Sequence, residues 1–229
     1  MKHHTAATTS DTTRLLPHTP LVWWLSFLAS LLPLGLIAFS VHAQGVPQGD
    51  AAKAKPIAIQ SCAACHGKNG NSTDPQYPSL AGQGSRYLYE QLKDFRNGTR
   101  LSPVMSAMVT TLSEDDMLNL AAYYSMQQPN PATPPSKTAN PDGEKIYRDG
   151  IASKSVPACA TCHGADGGGN FPEYPRLAGQ QQQYVAQQLR NFRSQQRGNN
   201  PNAMMRSISA HLSDAEIDAV ARYVAGIGP

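Results

Sequence analysis

The sequence predicts an all-α protein made of two tandem helical units behind an apolar N-terminal segment. Three observations carry this: the chain matches itself at an offset of 97 residues, its apolar positions recur at helical spacing, and no run alternates long enough for a strand. With 40% hydrophobic and 15% charged residues and a formal net charge of +3, the 229-residue chain is too apolar to be disordered and too weakly basic for a nucleic-acid polyelectrolyte. Its 18 Gly and 18 Pro point to long loops between helices.

The first element, Leu21 to Val41, is an almost uncharged apolar run with Lys2 and Arg14 before it and the small-residue pattern Val41-His42-Ala43 at its end. Residues 1–43 are expected to be a signal peptide, with an uncleaved anchor as the alternative because the run approaches the length of a bilayer span. In either case the basic side lies N-terminal, so the rest of the chain is exported. That remainder keeps 17 basic and 15 acidic groups and only three His, namely His66, His163 and His211.

Two copies of one unit follow. Residues 44–128 form the first, 129–142 a Pro-rich linker and 143–229 the second. From 62 to 96, 18 of 35 positions are identical at the offset of 97. Beyond Arg96 the alignment takes an offset of 100, with three extra residues placed around Ser194 to Gln196, so that Met105 meets Met205 and Leu112-Ser113 meets Leu212-Ser213. Within the first copy, Gly49 to Ser61 reads as a helix that Pro56 makes start late or kink. Ser85 to Asn97 puts Leu88, Leu92 and Phe95 on one face and stops at Gly98; its copy is expected over Gln181 to Arg197, stopping at Gly198. Ser113 and Ser213 each open a last helix with an acidic residue three positions on, a capping-box pattern. Asp142 to Asp149 reads as the first helix of the second copy.

All four cysteines and two of the three remaining histidines fall in Cys62-Ala-Ala-Cys65-His66 and Cys159-Ala-Thr-Cys162-His163. A local disulfide, a zinc site or a redox dithiol would each use Cys-x-x-Cys, but zinc needs a fourth ligand that neither unit offers. The adjacent His, present twice, points instead to covalent haem c: two thiols on one helical turn add to one macrocycle and the imidazole reaches iron. Two covalently attached haem c groups are therefore expected, one per unit. A second axial ligand is needed, and the repeat selects Met105 and Met205, because Met108 meets Ile208 and Met204 meets Val104. Met108, Met117, Met126 and Met204 read as core filler, and His211 as a surface residue. The metal ligands expected are thus His66, Met105, His163 and Met205. The imidazole's other nitrogen should meet a carbonyl, for which Pro78 and Pro175, each 12 residues past the His, are candidates. Leu80 and Leu177 are expected to pack on the haem, and Tyr87, Tyr184, Arg86 and Arg176 are candidates for its propionates.

With these residues the chain resembles the dihaem cytochrome c4 family over residues 45–229, most closely at Cys62-Ala-Ala-Cys-His66-Gly, Leu80-Ala-Gly-Gln-Gly84, Tyr174-Pro-Arg-Leu-Ala-Gly-Gln180 and Met205-Arg-Ser-Ile208. The resemblance implies two class I cytochrome c domains about a pseudo-twofold axis, with axial positions on His66, Met105, His163 and Met205. It further implies a monomeric periplasmic electron carrier that serves redox proteins of the respiratory chain. A membrane haem-copper oxidase would be the acceptor, with association at the inner membrane and no nucleic-acid partner. The alternatives are a cytochrome subunit of a larger oxidoreductase, for example one of sulfur oxidation, or a dihaem peroxidase. Peroxide chemistry needs an open iron position, which the two Met candidates argue against. Residues 130–229 hold ten basic and eight acidic groups against seven and seven in 44–129, so the C-terminal haem is expected to have the higher potential.

Overall fold

The computed structural model describes residues 48–132 and 141–228. The signal or anchor segment at 1–43 and the middle of the linker lie outside the described residues. Ten α-helices occur among those residues, with no strand. The first unit holds α1 (Ala51–Ile57), α2 (Ala63–His66), α3 (Ser85–Asn97), α4 (Pro103–Val109) and α5 (Glu114–Ser125). The second holds α6 (Pro141–Asp149), α7 (Ala160–His163), α8 (Gln182–Arg193), α9 (Met204–Ser209) and α10 (Asp214–Gly226). No described helix is long and apolar enough to cross a membrane.

In each unit the last helix is the hub. The α5 helix packs against α1 and α3, and α10 packs against α6 and α8. The first core gathers Ala54, Ala58, Leu88, Leu120, Ala121 and Tyr124; the second gathers Tyr147, Val185, Ile217, Val220 and Val224 with their neighbours. Both hubs start with the expected capping box. Ser113 Oγ accepts from the Asp116 N–H and Ser213 Oγ from that of Glu216, while each acidic side chain returns to the serine N–H.

Pro56 does not delay the first helix. Asp50 caps it, its side chain accepting from the Ala52 N–H at 3.0 Å, and α1 runs through Pro56. The missing proline N–H is instead followed by a π-helical turn, Ala58–Cys62, that leads directly into α2. One continuous helical path therefore ends on Cys62, Cys65 and His66.

The repeat register also differs from the expectation. Helix α8 ends at Arg193, and Gln195 adopts a left-handed φ of 65° where Gly98 has 78°. Arg100 and Arg197 bridge each other across the two units, and their N–H groups reach the carbonyls of Asp94 and Asn191. All of these pairs keep the offset of 97, so the three extra residues lie between Arg197 and Met205, not around Ser194 to Gln196. The Gly98–Gly198 match at an offset of 100 competes with the Arg100–Arg197 match at 97, and it misleads because a glutamine performs the turn that a glycine performs in the first copy.

Candidate functional site

Each Cys-x-x-Cys-His motif ends a helical path. Cys62 closes the π turn and Cys65 and His66 lie on α2; Cys159 precedes α7, which carries Cys162 and His163. Immediately after each histidine the chain reverses at a glycine, Gly67 with φ 78° and Gly164 with φ 84°. A β-carbon on Gly67 would sit 2.3 Å from the Asn71 carbonyl oxygen, so the reversal needs glycine. The loop then returns: the Gly70 carbonyl accepts from the N–H groups of Leu80 and Ala81, and Gly167 does the same for Leu177 and Ala178.

This return lays a carbonyl on each imidazole. His66 Nδ1 lies 2.8 Å from Pro78 O, and His163 Nδ1 lies 2.9 Å from Pro175 O. A carbonyl only accepts, so Nδ1 carries the proton and Nε2 keeps its lone pair, the tautomer that a metal-bound imidazole requires. Both rings are buried, 7% and 8% exposed, and burial holds both histidines below their ordinary pKa, towards the neutral form. Tyr77 and Tyr174 set their ring edges against the two imidazoles at 6.3 and 6.1 Å.

The chemistry of the donor set separates the readings of Cys-x-x-Cys. No disulfide joins any two of the four cysteines. Burial raises Cys62, against the opposing effect of the Tyr124 hydroxyl, and pushes Cys159 up to about 11. Among the described residues no group of three or more His, Cys, Asp or Glu side chains is arranged to hold a metal ion. Two spaced thiols and an imidazole with a free Nε2 on one turn therefore fit haem c in both units. Helix α9 adds two buried polar atoms without a hydrogen-bond partner, Arg206 Nε and Ser209 Oγ.

Each of the two methionines singled out by the repeat has its backbone N–H held by a side-chain oxygen, although the helix starts differ: α4 begins at an extended Ser102 and α9 at a left-handed Ala203. Met105 is the third residue of α4 and donates its N–H to Ser102 Oγ at 3.3 Å; Met205, in the first turn of α9, donates to Asn200 Oδ1 at 2.8 Å. Both side chains are half-buried. Met117 is fully buried in the core, whereas Met108 and Met126 are exposed. Leu80 and Leu177 are half-buried, each against the core of its own unit. Of the propionate candidates, Arg86 is engaged in an exposed pair with Glu90. Tyr87 and Tyr184 belong to a seam between the units.

Sequence reasoning missed that seam. Arg100 and Arg197, 6% and 7% exposed, stack on Phe95 and Phe192 of their own units and reach across to the other. Arg100 donates to Tyr184 OH at 2.8 Å and to Gln188 Oε1 at 3.0 Å; Arg197 donates to Tyr87 OH at 3.1 Å and to Gln91 Oε1 at 3.2 Å. Burial would raise Tyr87, but the two guanidinium groups outweigh it and hold the phenol below its ordinary value. The misplaced register hid the Arg100–Arg197 pair, and Gln91 and Gln188, though identical at the offset of 97, carry no chemical signature in the sequence.

Comparison with known proteins agrees with this geometry. The family model for cytochrome c matches residues 51–125 and 141–227. Cytochrome c4 of Azotobacter vinelandii is 41% identical over 208 residues, 86% of this chain and 96% of that protein. The thiosulfate dehydrogenase electron acceptor of Thiomonas intermedia is 36% identical over 175 residues, 75% of this chain and 81% of that protein. The crystal structure of reduced cytochrome c4 from Pseudomonas stutzeri superposes with a TM-score of 0.74 at 37% identity, covering 78% of this chain and 99% of that one. Sequence and structure thus agree on an all-α pair of cytochrome c domains, each ending a helix on Cys-x-x-Cys-His, and the solved cytochrome c4 shares that fold. The chain belongs to the cytochrome c4 family, an electron-transfer protein that carries two covalently attached haem c groups.

Proposed function

We propose that the protein carries single electrons in the periplasm between components of the respiratory chain and delivers them to a terminal haem-copper oxidase. In this reading Cys62 and Cys65 hold one haem and Cys159 and Cys162 the other, with His66 and Met105, and His163 and Met205, as axial pairs. The observation that carries it is the fixed tautomer of both histidines, with Nδ1 on the Pro78 or Pro175 carbonyl and Nε2 left free. When bound, each haem supplies a reversible one-electron change at iron. The chain's own work is to hold the ligands through that change. The carbonyls keep the Nδ1 protons in place, and α4 and α9 would present the thioethers from first turns in which Ser102 and Asn200 hold the methionine N–H groups. Leu80 and Leu177 would add apolar surface against the macrocycles. The apolar leader supports association with the inner membrane, and the units 44–128 and 143–229 would act together as a monomer.

A second reading takes electrons from sulfur-compound oxidation, supported by the likeness to the Thiomonas intermedia acceptor. The test begins with a pyridine haemochrome assay and optical spectra of the purified protein. Two haems per chain are expected, low-spin, with the weak far-red ferric band of thioether ligation. Met105→Ala and Met205→Ala should each remove half of that band. A high-spin ferric spectrum that responds to peroxide or cyanide would instead mean an open iron and put an enzyme first. Turnover with a purified haem-copper oxidase or with a thiosulfate dehydrogenase then decides between the two routes.

A further inference from the structure

The peptide group that holds each axial imidazole is also held from the other unit. Pro78 O, which accepts from His66, belongs to the same peptide as the Ser79 N–H, and that N–H donates to Gln180 Oε1 at 2.8 Å. Pro175 O, which accepts from His163, shares its peptide with the Arg176 N–H, which donates to Gln83 Oε1 at 2.9 Å. The amide orientations are forced by their surroundings. Gln180 Oε1 also accepts from the Gln181 N–H and Gln83 Oε1 from the Gly84 N–H, while each Nε2 donates to the carbonyl of Ser79 or Arg176 at 2.9 Å. Both glutamines are buried, 6% and 8% exposed, and together with Ser79 and Arg176 they line a cavity of about 220 Å³. Gly82 and Gly179, with φ of 66° and 69°, make the turns that precede them.

A peptide is a conjugated unit, so donation from its N–H places more negative charge on its oxygen and strengthens the bond which that oxygen accepts. A stronger bond at Nδ1–H makes the imidazole a better donor at Nε2. We propose that Gln83 and Gln180 are crosswise positioning residues, Gln83 setting the donor strength of His163 and Gln180 that of His66. Each unit thereby adjusts the redox site of the other through one peptide. The inference rests on the axial assignment of the two histidines. A better nitrogen donor favours ferric iron, so each glutamine lowers the potential of the haem in the opposite unit.

The test uses the full holoprotein and two variants, Gln83→Leu and Gln180→Leu, which remove the amide while keeping an apolar plug. Haem-resolved redox titration is combined with NMR of the Nδ1–H protons in the reduced protein. Gln83→Leu should move the His163 Nδ1–H resonance upfield and favour reduction of that haem about threefold, about 28 mV at about 59 mV per decade, leaving His66 unmoved. Gln180→Leu should do the reverse. Gln83→Met, closer to glutamine in length and without its amide, should move the His163 proton in the same direction as Gln83→Leu, and it serves if a leucine variant fails to fold. Equal shifts at both haems mean that the units have merely loosened, and overturn the proposal. A shift in the variant's own unit, or no shift of either proton, overturns it too. A wild-type spectrum without two thioether-ligated low-spin haems would remove the axial reading and the relay with it.

Discussion

Tyr147 shows how tightly single residues are tied to the site. Its side chain is fully buried and its hydroxyl donates at 2.7 Å to the carbonyl of Gly164, the residue after His163. Tyr147→Phe leaves that carbonyl without its donor and should destabilise the holoprotein by about 1–3 kcal/mol, read from denaturant unfolding at constant haem content. A change under a few tenths would mean that the bond is replaced. At this scale the sequence was most legible where chemistry dictates residue type: the thiols, the imidazoles, and the proline carbonyls 12 residues on. It was least legible at Arg100 and Arg197, whose role comes from what lies across the seam and not from their neighbours in the chain.

At the scale of elements, local sequence rules explain the helix starts and fail at the irregular turns. Both hub helices carry the capping boxes that Ser113 and Ser213 announce. Hydrogen bonds from the Ser113 side chain and backbone hold the Asp116 carboxyl below its ordinary value. A carboxyl lowered by folding adds stability above its unfolded pKa of about 3.9, and that contribution disappears as pH falls through the folded value. Ser113→Ala should therefore cost about 1 kcal/mol at neutral pH, and clearly less near pH 2, in paired chemical-denaturation curves. An equal loss at both pH values would separate the cap from the carboxylate. The π turn after Pro56 was not legible, because a proline announces only that one N–H is missing and not how the helix absorbs it. Nor was the early end of α8, since a glutamine adopts the left-handed turn there without the glycine that usually marks one.

Over the whole molecule, the two units are alike in fold and unlike in charge. Residues 130–229 carry ten basic and eight acidic groups against seven and seven in 44–129, so the surroundings of the second haem favour the more negative, reduced state. The haem at Cys159 and Cys162 should accordingly have the higher potential, and haem-resolved titration at low and high salt should show the gap narrowing as charges are screened. The reverse order would mean that ligand donor strength outweighs the field. Two tandem helical units were legible because duplication leaves a trace in identity. Their mutual packing was not, because the repeat says nothing about which faces of the copies meet.

Contacts across the seam are reciprocal: what Gln83 does to Arg176, Gln180 does to Ser79, and what Arg100 does to Tyr184, Arg197 does to Tyr87. Such a surface is isologous, the kind that two identical subunits present to each other. The chain is in this sense a homodimer made covalent, its two halves kept at the effective concentration that a tether provides. Cleavage between residues 132 and 141 would leave these reciprocal bonds among the described residues in place and turn a fixed association into one that weakens on dilution.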